Sequence, residues 1–302
     1  MIVNFDEGIF SMENPKRSIS DYRLGIIAGV HGDEPGSVLI ANDILNIFKE
    51  MNEIEWRRDL VGYKNIDILS VANPSGIIYN DRRSLNDGNL NNINFQDDKN
   101  KILKFISEHD IIIDIHCSRD ICDCFVLNSE CSKSSRIKKM IDIYNDYVDN
   151  ETLYIKHFVN YSSSTTIKDI TNSYENKIGF TFETMGMDSL TSNEEISYSA
   201  KSLVEFIKFL PDLIIRTATE PEEKFPEVKL YTPINTSASG LVKYNYIPGQ
   251  YVHKGDVLAT IISIKNLKIV QEIKSPIDGT VMARNINTYV NFGANIMSIQ
   301  GE

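Results

Sequence analysis

A chain of 302 residues can hold one large folding unit or a large and a small one. Apolar residues make up 42% and charged residues 24%, ordinary globular proportions that exclude a disordered polymer and a fibrous repeat. Its 31 Lys and Arg against 42 Asp and Glu leave a net charge of -11, which opposes broad contact with phosphate backbones and anionic membranes, so no nucleic-acid and no membrane partner is expected.

The first residues carry the acidic pair Asp6 and Glu7 where a secretory signal needs basic residues and then an apolar stretch, so export is not expected. Leu24 to Val30 reads as a strand ending in a Gly-containing turn, and Val38, Leu39, Ile44, Leu45, Ile47 and Phe48 recur at helical spacing over Pro35 to Glu50. Strand, loop and helix then repeat. Ile66 to Val71 and Ile111 to Ile115 read as strands, and Lys99 to Glu108 and Ser134 to Tyr147 as helices. A strand from Gly179 to Glu183 precedes a helix from about Glu194 to Phe209, which Pro211 is expected to close. The alternation predicts a layered α/β sheet with helices on both faces.

After Arg216 the polar, charged segment TATEPEEKFPEVK carries two prolines, as an interdomain connection does. Beyond it, short β-like pieces alternate with glycine turns at Gly240, Gly249, Gly255, Gly279 and Gly293, which predicts a small all-β domain. The expected boundaries are 1–216 and 217–302. The longest apolar runs, such as Val257 to Ile262, fall far short of the roughly 18 to 20 residues that cross a bilayer. Cys117, Cys122, Cys124 and Cys131 crowd into one stretch, unlike a secreted disulfide framework, and point to a reducing cytoplasm.

The most informative stretch is GVHGDEPG, which sets His31 and Glu34 three apart just after a buried strand. Open α/β sheets bind ligands beyond the carboxyl ends of their strands, where this loop lies. Zinc in hydrolases commonly takes two His and one Glu and keeps a fourth position for water. His116, at the end of IIIDIHC, is the best further ligand, because His109 precedes its strand and His157 and His253 lack a carboxylate partner in sequence. Asp114 can orient a ligand from behind. On its own, His31-x-x-Glu34 reads equally as a loop entering a helix with a capping acid.

The polar loop after Asn73-Pro74 presents Arg82 and Arg83, and an Arg there can stabilise the oxyanion formed when water adds to an amide, or can simply face solvent. Glu183 ends an apolar strand where a carboxylate has no core reason to be, as a general base would. A competing reading makes Cys117 a nucleophile with His109 or His116 as its base, but it leaves His31, Glu34, Arg82 and Glu183 without purpose.

In order, His31-Gly32-Asp33-Glu34, Asn73-Pro74 followed by Arg82, Leu90-Asn91 near Phe95, Asp114-Ile115-His116 and Phe182-Glu183 resemble the succinylglutamate desuccinylase and aspartoacylase family of zinc carboxypeptidase-like enzymes. The resemblance implies a three-layer α/β/α carboxypeptidase-like domain with a mixed sheet and hydrolysis of an N-acyl amino acid or related amide. It also implies one zinc ion per chain on His31, Glu34 and His116, a carbonyl-polarising Arg82 and a catalytic Glu183. The family usually reads Asp-Leu-Asn-Arg where this chain has Asn89-Leu90-Asn91-Asn92, so the carboxylate-clamping Arg is missing. Asn91, Arg83 and Arg119 are then the candidate substrate contacts. The C-terminal segments resemble the halves of a biotinyl or lipoyl domain, with Lys268 near the modified lysine of such carriers but flanked by Leu267 and Ile269. A noncatalytic or carrier protein that binds through this domain is the alternative to a hydrolase.

Overall fold

The computed structural model describes residues 2–6, 8–13, 22–85, 88–91, 98–118, 121, 123–128, 130–148, 155–160, 166–185, 192–220, 231–285 and 287–301. In chain order the larger part comprises β1 (Ile2–Asp6), β2 (Ile9–Glu13), β3 (Tyr22–Ile27), α1 (Pro35–Glu50), α2 (Glu53–Asp59), β4 (Tyr63–Leu69), α3 (Pro74–Tyr79), α4 (Asp98–Glu108), β5 (Ile111–Ser118), β6 (Cys124–Asn128), α5 (Ser134–Tyr147), β7 (Lys156–Asn160), α6 (Ile167–Ser173), β8 (Ile178–Met185) and α7 (Asn193–Arg216). Its strands form one sheet in the order β1-β2-β4-β3-β5-β8-β6-β7. The centre is parallel, β4 with β3, β3 with β5 and β5 with β8, while β2 and β6 join it antiparallel, so the sheet is mixed as expected.

Successive side chains of a strand point to opposite faces, so a strand covered on both sides is apolar throughout. β5 follows this rule up to Ile113 and departs from it at Asp114, His116 and Ser118, toward its carboxyl end. Ile111, Ile113, Ile115 and Cys117 join the cluster built with Ile40, Ile44 and Phe48 of α1, Ile137 and Ile141 of α5, and Leu203 and Phe206 of α7. Ile112 joins a second cluster with Ile102, Phe105 and Ile106 of α4 and Ile167 of α6. Helices therefore cover both faces, and Asp114 and His116 share the face of Ile112.

Pro211 does not close α7, which runs on to Arg216 with the proline inside it. The missing N–H costs one helical bond, but Leu213 and Ile214 beyond it are buried and hold the last turn against the core. The proline ring also has a fitted neighbour: a Cβ on Gly62 would lie 2.5 Å from Pro211 Cβ. Gly62→Ala is expected to destabilise the protein by about 1–3 kcal/mol in urea unfolding, since neither backbone can yield cheaply. An unchanged midpoint would refute this contact. The N-terminal hairpin, α2, α3, β6, β7 and α6 add to the elements expected from sequence.

The C-terminal part comprises β9 (Tyr231–Asn235), β10 (Gly240–Tyr244), β11 (Tyr251–Val252), β12 (Val257–Ile262), β13 (Ile269–Lys274), β14 (Gly279–Arg284), β15 (Tyr289–Val290) and β16 (Asn295–Gly301). Two four-stranded antiparallel sheets, β13-β12-β10-β15 and β11-β14-β16-β9, enclose a core of their own that includes Val252, Leu258, Ile261, Val281, Met297 and Ile299. This is the small all-β domain the glycine turns predicted. It touches the larger part where Ile121 bridges Ala283 and Met282 packs with Ile121 and Cys124. Among the described residues no helix is long and apolar enough to cross a membrane.

Candidate metal centre

β3, β5 and β8 run parallel, so their carboxyl ends open on one edge of the sheet. The chain leaves β3 through Gly29, whose φ of 65° lies in the left-handed region that glycine adopts without strain. Ser37 Oγ accepts the Gly29 N–H at 3.0 Å and donates to the Glu34 carbonyl at 2.8 Å, closing the loop onto the first turn of α1. Glu34 occupies the N-cap position of α1 yet makes no side-chain cap bond there. Its carboxylate turns instead toward two imidazoles, against the capping reading.

Glu34 Oε1 lies 2.7 Å from His31 Nδ1 and Oε2 lies 3.0 Å from His116 Nδ1, while the two Nδ1 atoms are 3.2 Å apart. Candidate ligand atoms of the three residues all fall within 4.8 Å of one another, and all three side chains are buried. The far nitrogens decide the tautomers. Asp114 Oδ2 stands 2.8 Å from His116 Nε2, and Asn89 Oδ1 stands 3.1 Å from His31 Nε2. At His116 the Asp114 oxygen, nearer and charged, prevails over the Asn91 Nδ2 amide at 3.3 Å, so both Nε2 atoms carry hydrogen and both Nδ1 lone pairs face one point beside a carboxylate. Three converging lone-pair donors repel one another unless a cation sits among them, so the donor set of two nitrogens and a carboxylate fits a zinc-type ion.

A proton on an imidazole answers the same need for positive charge that an ion would. Burial opposes charge on His116, but the Asp114 and Glu34 carboxylates on either side outweigh it and hold the imidazole pKa well above its ordinary value. Burial likewise opposes charge on Glu34, yet His116 and His31 bring its pKa far below the carboxylate range. Glu34 also accepts the Cys117 N–H at 3.0 Å and Arg82 NH1 at 2.9 Å. The pocket is built for a positive charge between the imidazoles.

Glu183 is the cross-strand neighbour of His116 in the β5–β8 register. Neighbouring strands lie about 4.7–4.9 Å apart, so the two side chains leave the sheet side by side on one face. Burial pushes the Glu183 carboxyl up to about 7, with Glu34 and Asp114 adding to the rise and His116 and a hydrogen bond from Ser118 opposing it. Ser118 Oγ donates to Glu183 Oε2 at 3.2 Å.

Arg82 reaches the site from the turn after α3, with NH1 on Glu34 and 3.8 Å from Asp33 Oδ1, and the rest of the side chain half-exposed. Close backbone contact fixes this turn: a Cβ on Gly32 would lie 2.0 Å from the Gly76 carbonyl carbon and 2.3 Å from the Asp81 carbonyl oxygen. Asn73 completes it, accepting the Gly76 N–H at 2.8 Å and donating to the Val30 carbonyl at 3.2 Å. Asn91 stands beside the centre, its Nδ2 3.3 Å from His116 Nε2 and its Oδ1 accepting the Ile167 N–H at 3.2 Å. Arg83 is exposed, and its backbone N–H donates to Asp81 at 2.9 Å. Arg119, Asn92 and Cys122 lie outside the described residues.

The remaining side chains sort themselves by place. His109 sits at the amino end of β5, its ring between the Phe105 carbonyl at 2.6 Å and Asp67 Oδ2 at 2.8 Å, away from the centre. His253, expected to lack a carboxylate partner, has Asp278 Oδ1 at 3.4 Å from its ring on an exposed turn and donates its backbone N–H to Asp256 at 2.8 Å. Cys117 packs among core residues on the opposite face from His116, and burial pushes its thiol well above the ordinary value, the reverse of an activated nucleophile. Sequence reading missed Asn89, Ser118 and Asn73 as parts of the site. The Asn-x-Asn spacing of 89 to 91, suited to a side chain turning back on its own loop, is a signal that could have found the first.

No protein-family model matches the chain, and no curated protein matches it by sequence. Solved structures do. The product-bound ectoine utilization protein EutE (DoeB) of Ruegeria pomeroyi superposes with a TM-score of 0.65 at 14% identity, covering 97% of this chain and 88% of that one. A succinylglutamatedesuccinylase/aspartoacylase of Rhodobacter sphaeroides gives 0.64 at 14% identity, covering 97% and 88%. A metallo-carboxypeptidase of Burkholderia cenocepacia gives 0.54 at 13% identity over 69% of this chain and 61% of that one. The chain therefore has a carboxypeptidase-like fold, shared over almost its full length with solved succinylglutamate desuccinylase/aspartoacylase family proteins, the group its motifs resemble.

Proposed function

We propose that this protein is a zinc-dependent hydrolase that cleaves the amide bond of an N-acyl amino acid or a related small amide. The observation that carries the reading is the convergence of His31 Nδ1, His116 Nδ1 and the Glu34 carboxylate, each imidazole backed by an oxygen, beside a Glu183 carboxyl raised to about 7. His31, Glu34 and His116 would hold one ion. When bound, zinc supplies Lewis acidity that polarises a carbonyl oxygen and acidifies water.

The chain's own groups do the rest. Glu183 takes the proton of the attacking water at its carboxylate and returns it to the departing nitrogen, a role suited to a carboxyl whose pKa sits near neutrality. Arg82, held in place by Glu34, offers its free guanidinium N–H groups to the oxygen that becomes negative as the carbonyl carbon turns tetrahedral. Ser118 keeps one Glu183 oxygen directed along the sheet edge. Asn91 stands beside His116 as a contact for the bound substrate, and Arg83 and Arg119 are the cations available to an anionic one.

The catalytic domain on this reading spans 1–216 and the β domain 217–302. Two packed antiparallel sheets with Lys268 in the turn between β12 and β13 support a biotinyl-like or lipoyl-like shape for the latter. The name of the Rhodobacter neighbour, with that of the Silicibacter succinylglutamate desuccinylase, favours acylated amino acids as the substrate class. The test is a panel of N-acetyl and N-succinyl amino acids and uncharged N-acyl amides offered to zinc-loaded protein, before and after a chelator. Turnover that a chelator abolishes and zinc restores is expected. Turnover indifferent to chelation would refute the reading.

A further inference from the structure

The two imidazoles are backed unequally. Behind His116 stands Asp114, a fully buried carboxylate. Behind His31, among the described residues, stands an amide oxygen, Asn89 Oδ1. The orientation of that amide is fixed by its surroundings, because the same Oδ1 accepts the backbone N–H of Asn91 at 3.0 Å and a backbone N–H can only donate. The oxygen therefore faces His31, and His31 Nε2 carries the proton.

The turn is firmly seated. Leu90 is fully buried in the cluster beneath it, and Asn91 Oδ1 takes the Ile167 N–H at the start of α6. Asn89 thus presents its oxygen from a turn anchored to two other parts of the fold. A charged acceptor draws the Nε2 proton more strongly than a neutral one and raises the basicity of the opposite nitrogen accordingly. Nδ1 of His116 gains this from Asp114, and Nδ1 of His31 gains much less from an amide.

We propose that Asn89 is the positioning residue of His31 and that its neutral amide makes His31 the weaker donor of the pair, so that the centre holds its divalent ion in a readily exchangeable form. This rests on the metal reading given above. Asn89→Asp keeps the shape of the side chain and adds the missing charge, and its half-buried site accommodates that charge without a large cost. Asn89→Ala removes the oxygen altogether.

Zinc affinity is measured at neutral pH by competition with a chromophoric chelator, and ion release by transfer to excess chelator. Asn89→Asp is expected to bind zinc about tenfold more tightly and to release it more slowly, and Asn89→Ala to bind it about 10- to 100-fold more weakly. Should Asn89→Ala fail to fold, the isosteric Asn89→Asp carries the test alone. Variants that bind and release zinc as the unaltered protein does overturn the role of Asn89 and leave the metal reading standing. An unaltered protein that takes up no zinc overturns the metal reading and this inference with it.

Discussion

Glu183→Gln lowers kcat by about 100- to 10,000-fold while the protein still folds and still binds zinc, because the substitution removes a proton acceptor and keeps its shape. The carboxyl is not among the three converging ligands, so metal content and catalysis separate in this variant. A base must be ionised, and burial holds this one at about 7, so activity falls about tenfold per pH unit on the acid side. A bound dication draws the limb to lower pH. The folded value lies above the ordinary 4.5, so ionising Glu183 costs stability that is lost progressively as pH rises from about 4.5 to 7. The glutamine variant is accordingly expected to melt at a higher temperature than the parent at pH above 7, in the absence of metal. Full activity in Glu183→Gln would remove the base from the mechanism.

Glu34→Gln loses zinc affinity by about 100- to 1,000-fold. The carboxylate serves four partners at once, His31, His116, the Cys117 N–H and Arg82. Removing a buried carboxylate from a charge network costs about 3–5 kcal/mol, because the positive charge it faced, here that of a bound ion, is left under-neutralised. Arg82 should also become mobile, so catalysis suffers beyond the loss of the ion. Isothermal titration of the variant with zinc measures the first effect, and a variant that binds as tightly as its parent would show that Glu34 is no ligand.

Much of this was legible in the sequence because it rests on local pattern. Pro35 to Glu50 and Ser134 to Tyr147 were expected as helices with the bounds that the structure shows, since each carries an uninterrupted apolar stripe. His31, Glu34 and His116, which the structure brings together, could be singled out because strand ends deliver side chains to one edge of a parallel sheet. The end of α7 was misplaced because local proline chemistry was weighed without Gly62, which lies far away in sequence and receives the ring. Short pieces such as α6 and β7 escaped notice, being too brief to show a period. Asn89 and Asn73 stood in the quoted motifs but without a role in the site, because the partner of each across the loop, His31 and the Val30 carbonyl, leaves no trace in composition or spacing.

The alternation of side chains along β5 limits how this protein can change. Odd positions from Ile111 to Cys117 face oil, while Asp114 and His116 face the pocket. Inserting or deleting a single residue in this strand would send an imidazole into the hydrocarbon interior and bring a thiol to the candidate metal centre. A change of length by one breaks both faces at once, and the spacing from Ile111 to His116 is as much a part of the site as the imidazole itself.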